Sequence, residues 1–251
     1  MQTETTHEGR TRFHNALTGT EPLAFHAQGY HEYKPVWPRI RAHVFDAAPR
    51  SIGPSDRITV LTCNNGHGAM GLFETSCAQL GVPVVVGGRE FPDWINAVHK
   101  PRAILNALEG IRTPWVMYAD SRDAILAGDP DRLVDDMDLH FPGAQMVFGA
   151  CQLSWPNAED LTEFELDLPG AKGSDYKHLN GGLWIARTEF AHRIFAEVEA
   201  IAPHPAAPES EQGKLRKLFP DHYPEITLDY GLRMFHNVGF TFVDTYEERP
   251  V

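Results

Sequence analysis

Apolar residues along the chain fall in short blocks whose spacing switches between a period of two and a helical period. Ile58-Thr59-Val60-Leu61-Thr62-Cys63 is a near-continuous β-branched run, the pattern of a strand covered on both faces. After the turn Asn64-Asn65-Gly66-His67-Gly68, residues Met70, Phe73, Cys77 and Leu80 recur at helical spacing. Residues 82–86 predict a second strand, closed by Gly87-Gly88, and 103–108 belong to a helix expected to begin near Pro101. A third strand over 115–118 ends at Asp120-Ser121-Arg122-Asp123. Asp129-Pro130 then signals a helix start, with Leu133, Val134 and Met137 as its buried face, and 145–149 is a fourth strand. This alternation predicts an α/β fold with a mostly parallel central sheet flanked by helices on both faces. Ligands of such sheets bind at the carboxyl ends of the strands.

The flanks are less regular. Residues 1 to about 20 are polar and expected to fray. Pro22-Leu23-Ala24-Phe25-His26 is a short apolar run, a helical turn is expected within 40–45, and 49–56 looks like a linker. Beyond 150, a strand is expected at 183–186. Phe190, Ile194, Phe195, Val198 and Ile201 make a helix face, and Leu215, Leu218 and Phe219 suggest another. Short strands are expected at 226–228 and 241–243, and no internal repeat is visible.

With 251 residues, 42% of them hydrophobic, the chain suits one domain over 1–251. Within it an N-terminal segment over 1–56 and two halves over 57–150 and 151–251 are expected. Lys+Arg number 22 against Asp+Glu 34, a formal charge of -12, which makes nucleic acid and anionic membranes poor partners. An anionic ligand therefore needs a local device: a metal ion, a helix N-terminus or a placed lysine. Three cysteines (Cys63, Cys77, Cys151) are no disulfide framework. No apolar run reaches about 18 residues, and the start of the chain has no signal-peptide pattern, so a cytoplasmic location is expected.

Candidate chemistry gathers at strand ends. Asp120 and Asp123 are two carboxylates three residues apart after an apolar strand, hard oxygen ligands for Mg²⁺ or Mn²⁺, or alternatively turn and capping residues. Thr62, Cys63 and Asn64 follow the first strand, where a base or ribose sits in doubly wound sheets. Neither a Walker A sequence nor a dinucleotide fingerprint is present. Trp94 is placed to stack on a base or to cover core, and Lys100 and Lys34 are candidate phosphate contacts. His26 ends its apolar run near Gly29, with His31 a competitor for the same metal role. Asn180-Gly181-Gly182 precedes a strand, where glycines permit close approach of a ligand. Glu209, Ser210, Glu211 and Gln212 open a short helix, as caps or as partners of sugar hydroxyls.

Taken together, these segments resemble the glycosyltransferase domains of multifunctional procollagen lysyl hydroxylases and their collagen-glycosylating relatives, which have the GT-A fold. The resemblance runs from Ile58 to about Gly239. Its landmarks are Ile58-Thr59-Val60-Leu61-Thr62, the segment Tyr118-Ala119-Asp120-Ser121-Arg122-Asp123 with its Ala127-Gly128-Asp129-Pro130 continuation, and Phe148-Gly149-Ala150 through Trp155-Pro156. Leu179-Asn180-Gly181-Gly182, Glu211-Gln212, and Leu228-Asp229 through Phe235-His236-Asn237 complete the series. The resemblance implies a manganese-dependent enzyme that moves a hexose from a UDP-sugar to an acceptor hydroxyl on a small molecule, peptide or glycan. Asp120 and Asp123 match the metal aspartates, Thr62 a uridine contact, and Trp94 and Lys100 the loop beside the nucleotide, which Asn64 is expected to join from the end of the first strand. Glu211 matches a run of aspartates needed for activity, and Glu211, Asp229 and Asn180 are the candidate catalytic residues.

Three departures stand out. The acidic run is only Glu209-Ser210-Glu211, and Arg122 replaces an aromatic between the metal aspartates. The family's third metal ligand, a histidine near the domain's C-terminus, has no counterpart there. Pro22-Leu23-Ala24-Phe25-His26-Ala27-Gln28-Gly29, followed by Lys34, looks like that segment moved to the N-terminus. Circular permutation would make His26 the third ligand and set Gly29 and Lys34 against the diphosphate. The alternatives are a sugar-phosphate nucleotidyltransferase, disfavoured because the loop after the first strand lacks Lys and Arg, and a non-catalytic nucleotide-sugar-binding domain.

Overall fold

A computed structural model describes residues 11–29, 35–66, 71–238 and 246–250. His31, Lys34, Met70 and the strand expected at 241–243 lie outside the described residues. In chain order the elements are β1 (Thr11–Asn15), β2 (Ala24–His26), α1 (Trp37–Phe45), β3 (Ile58–Cys63), α2 (Leu72–Leu80), β4 (Val84–Gly87) and α3 (Asn96–Leu108). There follow β5 (Trp115–Ala119), β6 (Ala124–Leu126), α4 (Asp131–His140), β7 (Met146–Cys151), α5 (Glu159–Asp167) and β8 (His178–Arg187). The described chain closes with α6 (Thr188–Ala200), α7 (Glu211–His222), β9 (Ile226–Asp229), β10 (Phe235–Asn237) and β11 (Tyr246–Pro250).

Six strands form the central sheet in the order β4-β3-β5-β8-β7-β9. All run the same way except β8, which is antiparallel to both β5 and β7. The sheet is thus mostly parallel and flanked by helices, the α/β class the pattern predicts. Pleating divides each buried strand between two cores. In β5, Val116 and Tyr118 enter the core under α3, α6 and α7, while Trp115, Met117 and Ala119 enter the one under α2 and α4. Trp184, Tyr118 and Phe148 are fully buried, each contributing about 2 kcal/mol of apolar transfer free energy. A smaller sheet, β10-β2-β6, packs against β7 and β8 of the main one, with β2 parallel to β10 and antiparallel to β6. Its outer side packs a third core of Phe25, Trp37, Ile40, Val44 and Tyr246.

Three expectations change. Residues 11–15 are not frayed: they form β1, paired antiparallel with β11. The helix expected near Pro101 begins at Asn96 and carries Pro101 internally. The strand expected at 183–186 begins at His178, because Asn180-Gly181-Gly182 is buried strand rather than turn and pairing with β7 continues across a register shift between Phe148 and Ala150. Among the described residues, no helix is long and apolar enough to cross a membrane.

His236 on β10 lies buried between two tyrosine hydroxyls, with Nε2 2.8 Å from Tyr176 and Nδ1 2.6 Å from Tyr246. Burial pushes its pKa down to about 3. An unfolded chain's histidine titrates near about 6.5. Between those values the unfolded state takes up a proton that the folded state refuses, so this group's stabilisation is complete above pH 6.5 and is lost as pH falls toward 3. Thermal melts from pH 7 to pH 4 should therefore fall more steeply for the native chain than for His236→Gln; equal slopes would contradict the assignment.

Candidate metal and nucleotide site

β5 is apolar up to Ala119, and the carboxylates follow where its hydrogen bonding ends. The Asp120 N–H donates to the Gly182 carbonyl at 2.9 Å, and the Asp123 carbonyl accepts the Ala27 N–H at 2.8 Å. These two bonds hold the Asp120–Asp123 turn between β8 and the end of β2. The β2–β6 register sets His26 opposite Ala124. Its Nε2 lies 3.6 Å from Asp120 Oδ2 and 3.3 Å from Asp123 Oδ1. One ligand atom from each of the three side chains falls within 4.8 Å of the others.

The hydrogen bonds behind His26 fix its tautomer. Nδ1 is 2.9 Å from Asn237 Oδ1 and 3.1 Å from Asn180 Oδ1. Both amides are oriented by further bonds: Asn237 Nδ2 donates to the Ala150 carbonyl, and Asn180 Oδ1 accepts the Gly182 N–H. Two acceptors at Nδ1 require a proton there and leave Nε2 facing the two carboxylates, where a divalent cation would take the place of the proton they otherwise favour. Burial opposes a charge on this imidazole, but Asp123 and then Asp120 outweigh it and hold its pKa above the ordinary value. One nitrogen and two carboxylate oxygens converging in this way fit a divalent cation such as Mn²⁺ or Mg²⁺. Removing the Asn237 acceptor should weaken divalent-metal binding about 10-fold to 100-fold, as losses of such supporting partners do. Calorimetric titration of Asn237→Ala with Mn²⁺ checks this, and undiminished affinity would contradict the tautomer assignment.

Two glycines make the arrangement possible. A Cβ at Gly182 would lie 2.2 Å from His26 Cε1, and one at Gly149 2.7 Å from Asn237 Nδ2. The close approach that Gly182 permits is therefore to the His26 ring.

Pleating turns Asp120 to the same side of the sheet as Tyr118, toward α3. Asp120 Oδ1 accepts from Lys100 Nζ at 2.7 Å and from the Tyr118 hydroxyl at 2.9 Å, while Oδ2 faces His26. Lys100 also pairs with Glu211 Oε1 at 2.6 Å. Burial opposes the Lys100 charge, yet Asp120 and Glu211 together raise its pKa, so the ammonium persists. Alongside this network lies a cavity of about 440 Å³ at the carboxyl ends of β3 and β5. Asn64, Trp94, Lys100, Asp120, Arg122 and Asp123 all line it. Asn64 is held by Glu74 and Ser121, at 2.8 and 3.1 Å from its Nδ2. Trp94 packs on Gly88, and its Nε1–H donates to Asn96 Oδ1 at 2.5 Å. Cys63 lines the cavity too, but burial pushes its thiol up to about 12, so it is no nucleophile at neutral pH.

Other candidates lie elsewhere. Thr62 is fully buried and donates its hydroxyl to the Ala119 carbonyl at 2.7 Å; the pleat brings its neighbour Cys63 to the cavity instead. Asp229 is fully buried and accepts three backbone N–H groups, from Arg233, Met234 and Phe235, so it organises the β9–β10 connection. Burial outweighs those bonds and raises its pKa. Glu211 is 4% exposed and sits behind Lys100 rather than on the cavity wall. Asn180 reaches the site through His26. Gly29, with φ 72°, follows β2 but is not part of the wall. Sequence patterns gave no role to Tyr118, Glu74 or Asn237; alternation from Leu61 and Val116 was the available signal for Cys63 and Tyr118.

No family model and no curated protein matches the chain. Solved structures of similar shape include a glycosyltransferase involved in glycosylation of the major capsid of PBCV-1, at 16% identity and TM-score 0.44, over 68% of this chain and 81% of that one. Glucosyl-3-phosphoglycerate synthase from Mycobacterium tuberculosis, in complex with Mn²⁺, UDP-glucose and phosphoglyceric acid, aligns at 15% identity and TM-score 0.37, over 77% of this chain and 72% of that one. Mouse xyloside xylosyltransferase 1 aligns at 11% identity and TM-score 0.38, over 81% and 82%.

Proposed function

We propose that the chain is a metal-dependent glycosyltransferase that moves a hexose from a UDP-sugar to an acceptor hydroxyl. The observation that carries this is the convergence of His26 Nε2, Asp120 and Asp123 beside a cavity at the carboxyl ends of β3 and β5. His26, Asp120 and Asp123 would hold Mn²⁺ or Mg²⁺, which would supply Lewis-acid stabilisation of a diphosphate leaving group. Asn64 and Trp94 take the nucleoside, and Arg122 and Lys100 face the phosphates. In an acidic chain these two cations are the local positive charge that a diphosphate needs. The anomeric C–O bond breaks with its electron pair going to the diphosphate oxygen, and the acceptor oxygen bonds to the anomeric carbon. The acceptor's hydroxyl proton goes to the departing diphosphate oxygen, and Glu211, behind Lys100, holds that ammonium in place.

Circular permutation of the GT-A arrangement belongs to the same proposal. It is supported by the parallel pairing of β2 with β10 and by the β1–β11 ribbon, which pairs residues 11–15 with 246–250. Incubation with a panel of UDP-sugars and Mn²⁺ tests the proposal. UDP release that chelation abolishes supports it. Pyrophosphate exchange would indicate a nucleotidyltransferase, and binding without release a non-catalytic domain; either overturns it.

A further inference from the structure

A second cavity, of about 360 Å³, shares no residue with the first and is lined by more positive than negative side chains. Arg12 of β1, Arg132 of α4, Arg233 of the β9–β10 connection and Arg249 of β11 all enter its wall, with His14 and His140 beside them. Glu21 and Asp136 are its carboxylates, so four guanidiniums face two acids in a chain whose formal charge is -12. Four segments distant in sequence deliver these arginines, which local composition does not explain.

Their placement also runs against local stability. Arg12 and Arg249 stand directly opposite each other in the β1–β11 register, a cross-strand pairing of like charges that is intrinsically unfavourable. Glu21 balances Arg12 at 3.2 Å, and its carbonyl accepts from Arg132, which is also 3.6 Å from Asp136. Glu247 lies 3.2 Å from Arg249. These contacts orient the guanidiniums but leave the wall with excess positive charge. Sites that break a local rule in this way are where ligands are expected.

We propose that this hollow binds a small molecule bearing phosphate groups, gripped by the guanidinium forks of Arg12, Arg132, Arg233 and Arg249. The fork geometry matches phosphate oxygens two at a time, and several arginines suit a multiply charged anion. The cavity is at the lower end of the size range of small-molecule sites. It is separate from the metal and nucleotide site, so it stands whether or not the chain transfers sugar.

Calorimetric titration of the whole chain with inorganic pyrophosphate, in EDTA to exclude metal-mediated binding, tests this. The expected result is saturable binding that weakens as salt is raised, falls at least tenfold in Arg12→Gln/Arg249→Gln, and is unchanged in Asp120→Asn/Asp123→Asn. Arg233→Gln, at an exposed position, should weaken binding at least fivefold and covers the case in which the double variant folds poorly. No binding, binding indifferent to all these arginines, or binding lost in the aspartate variant would overturn the proposal.

Discussion

Replacing His26 with alanine is expected to weaken Mn²⁺ binding by about 100-fold or more, the upper end of what even supporting residues contribute to metal sites. In the proposed site His26 is the nitrogen donor among the described residues, and two amide oxygens hold a proton on its Nδ1 so that Nε2 faces the aspartates. Without it, Asp120 and Asp123 remain as a carboxylate pair with no third donor from the described chain. Asn180 and Asn237 also lose their shared donor, a cost of about 1–3 kcal/mol in a buried place. Melting temperature therefore has to be measured beside affinity. A variant that folds and binds Mn²⁺ as the native chain does would remove His26 from the site.

The largest stability effect is expected at Glu165. Its carboxylate receives both Nε and Nη2 of Arg216 at 2.7 Å, Nδ1 of His178 at 2.7 Å and the Leu179 N–H at 3.2 Å. Neither Glu165 nor Arg216 is appreciably accessible. Glu165→Ala strands a buried guanidinium, which costs about 3–5 kcal/mol. For a chain of this length that corresponds to a fall in melting temperature of roughly 6–20 °C. Glu165→Leu with Arg216→Met should recover most of the loss, since an apolar pair of similar volume removes the stranded charge along with its partner. A double variant no more stable than Glu165→Ala would show that the loss comes from the His178 and Leu179 donors left without an acceptor, or from packing, rather than from the unpaired charge. The pair ties α5 and β8 to α7, whose first turn carries Glu211 and Gln212, and the Gln212 side chain in turn accepts the Gly181 N–H at 2.9 Å. Loosening it should therefore also disturb the Lys100–Glu211 contact.

The sheet was legible because strands buried on both faces leave long β-branched runs, and the aspartates stood out because they interrupt such a run at its end. Period-two alternation also carried information that residue type obscured. Thr62 looked polar and available, but parity with Val60 sends it to the α2 and α4 side and gives Cys63 the cavity side. Asp229 likewise looked like a base, but three consecutive backbone N–H groups claim it, a demand set by the local turn geometry. The support for His26 was invisible from local sequence. Asn180 and Asn237 lie 154 and 211 residues from it, and Gly182 matters only because an imidazole arrives from another sheet. The first strand was missed because its five residues are mostly polar and its partner lies at the other end of the chain.

Electron paramagnetic resonance titration of Mn²⁺, with and without UDP, tests the central claim most directly. The account predicts one bound Mn²⁺ per chain, tighter with UDP present, and bound Mn²⁺ lost in Asp120→Asn/Asp123→Asn. Absence of bound Mn²⁺ in the native chain, or equal binding in the aspartate variant, would contradict it.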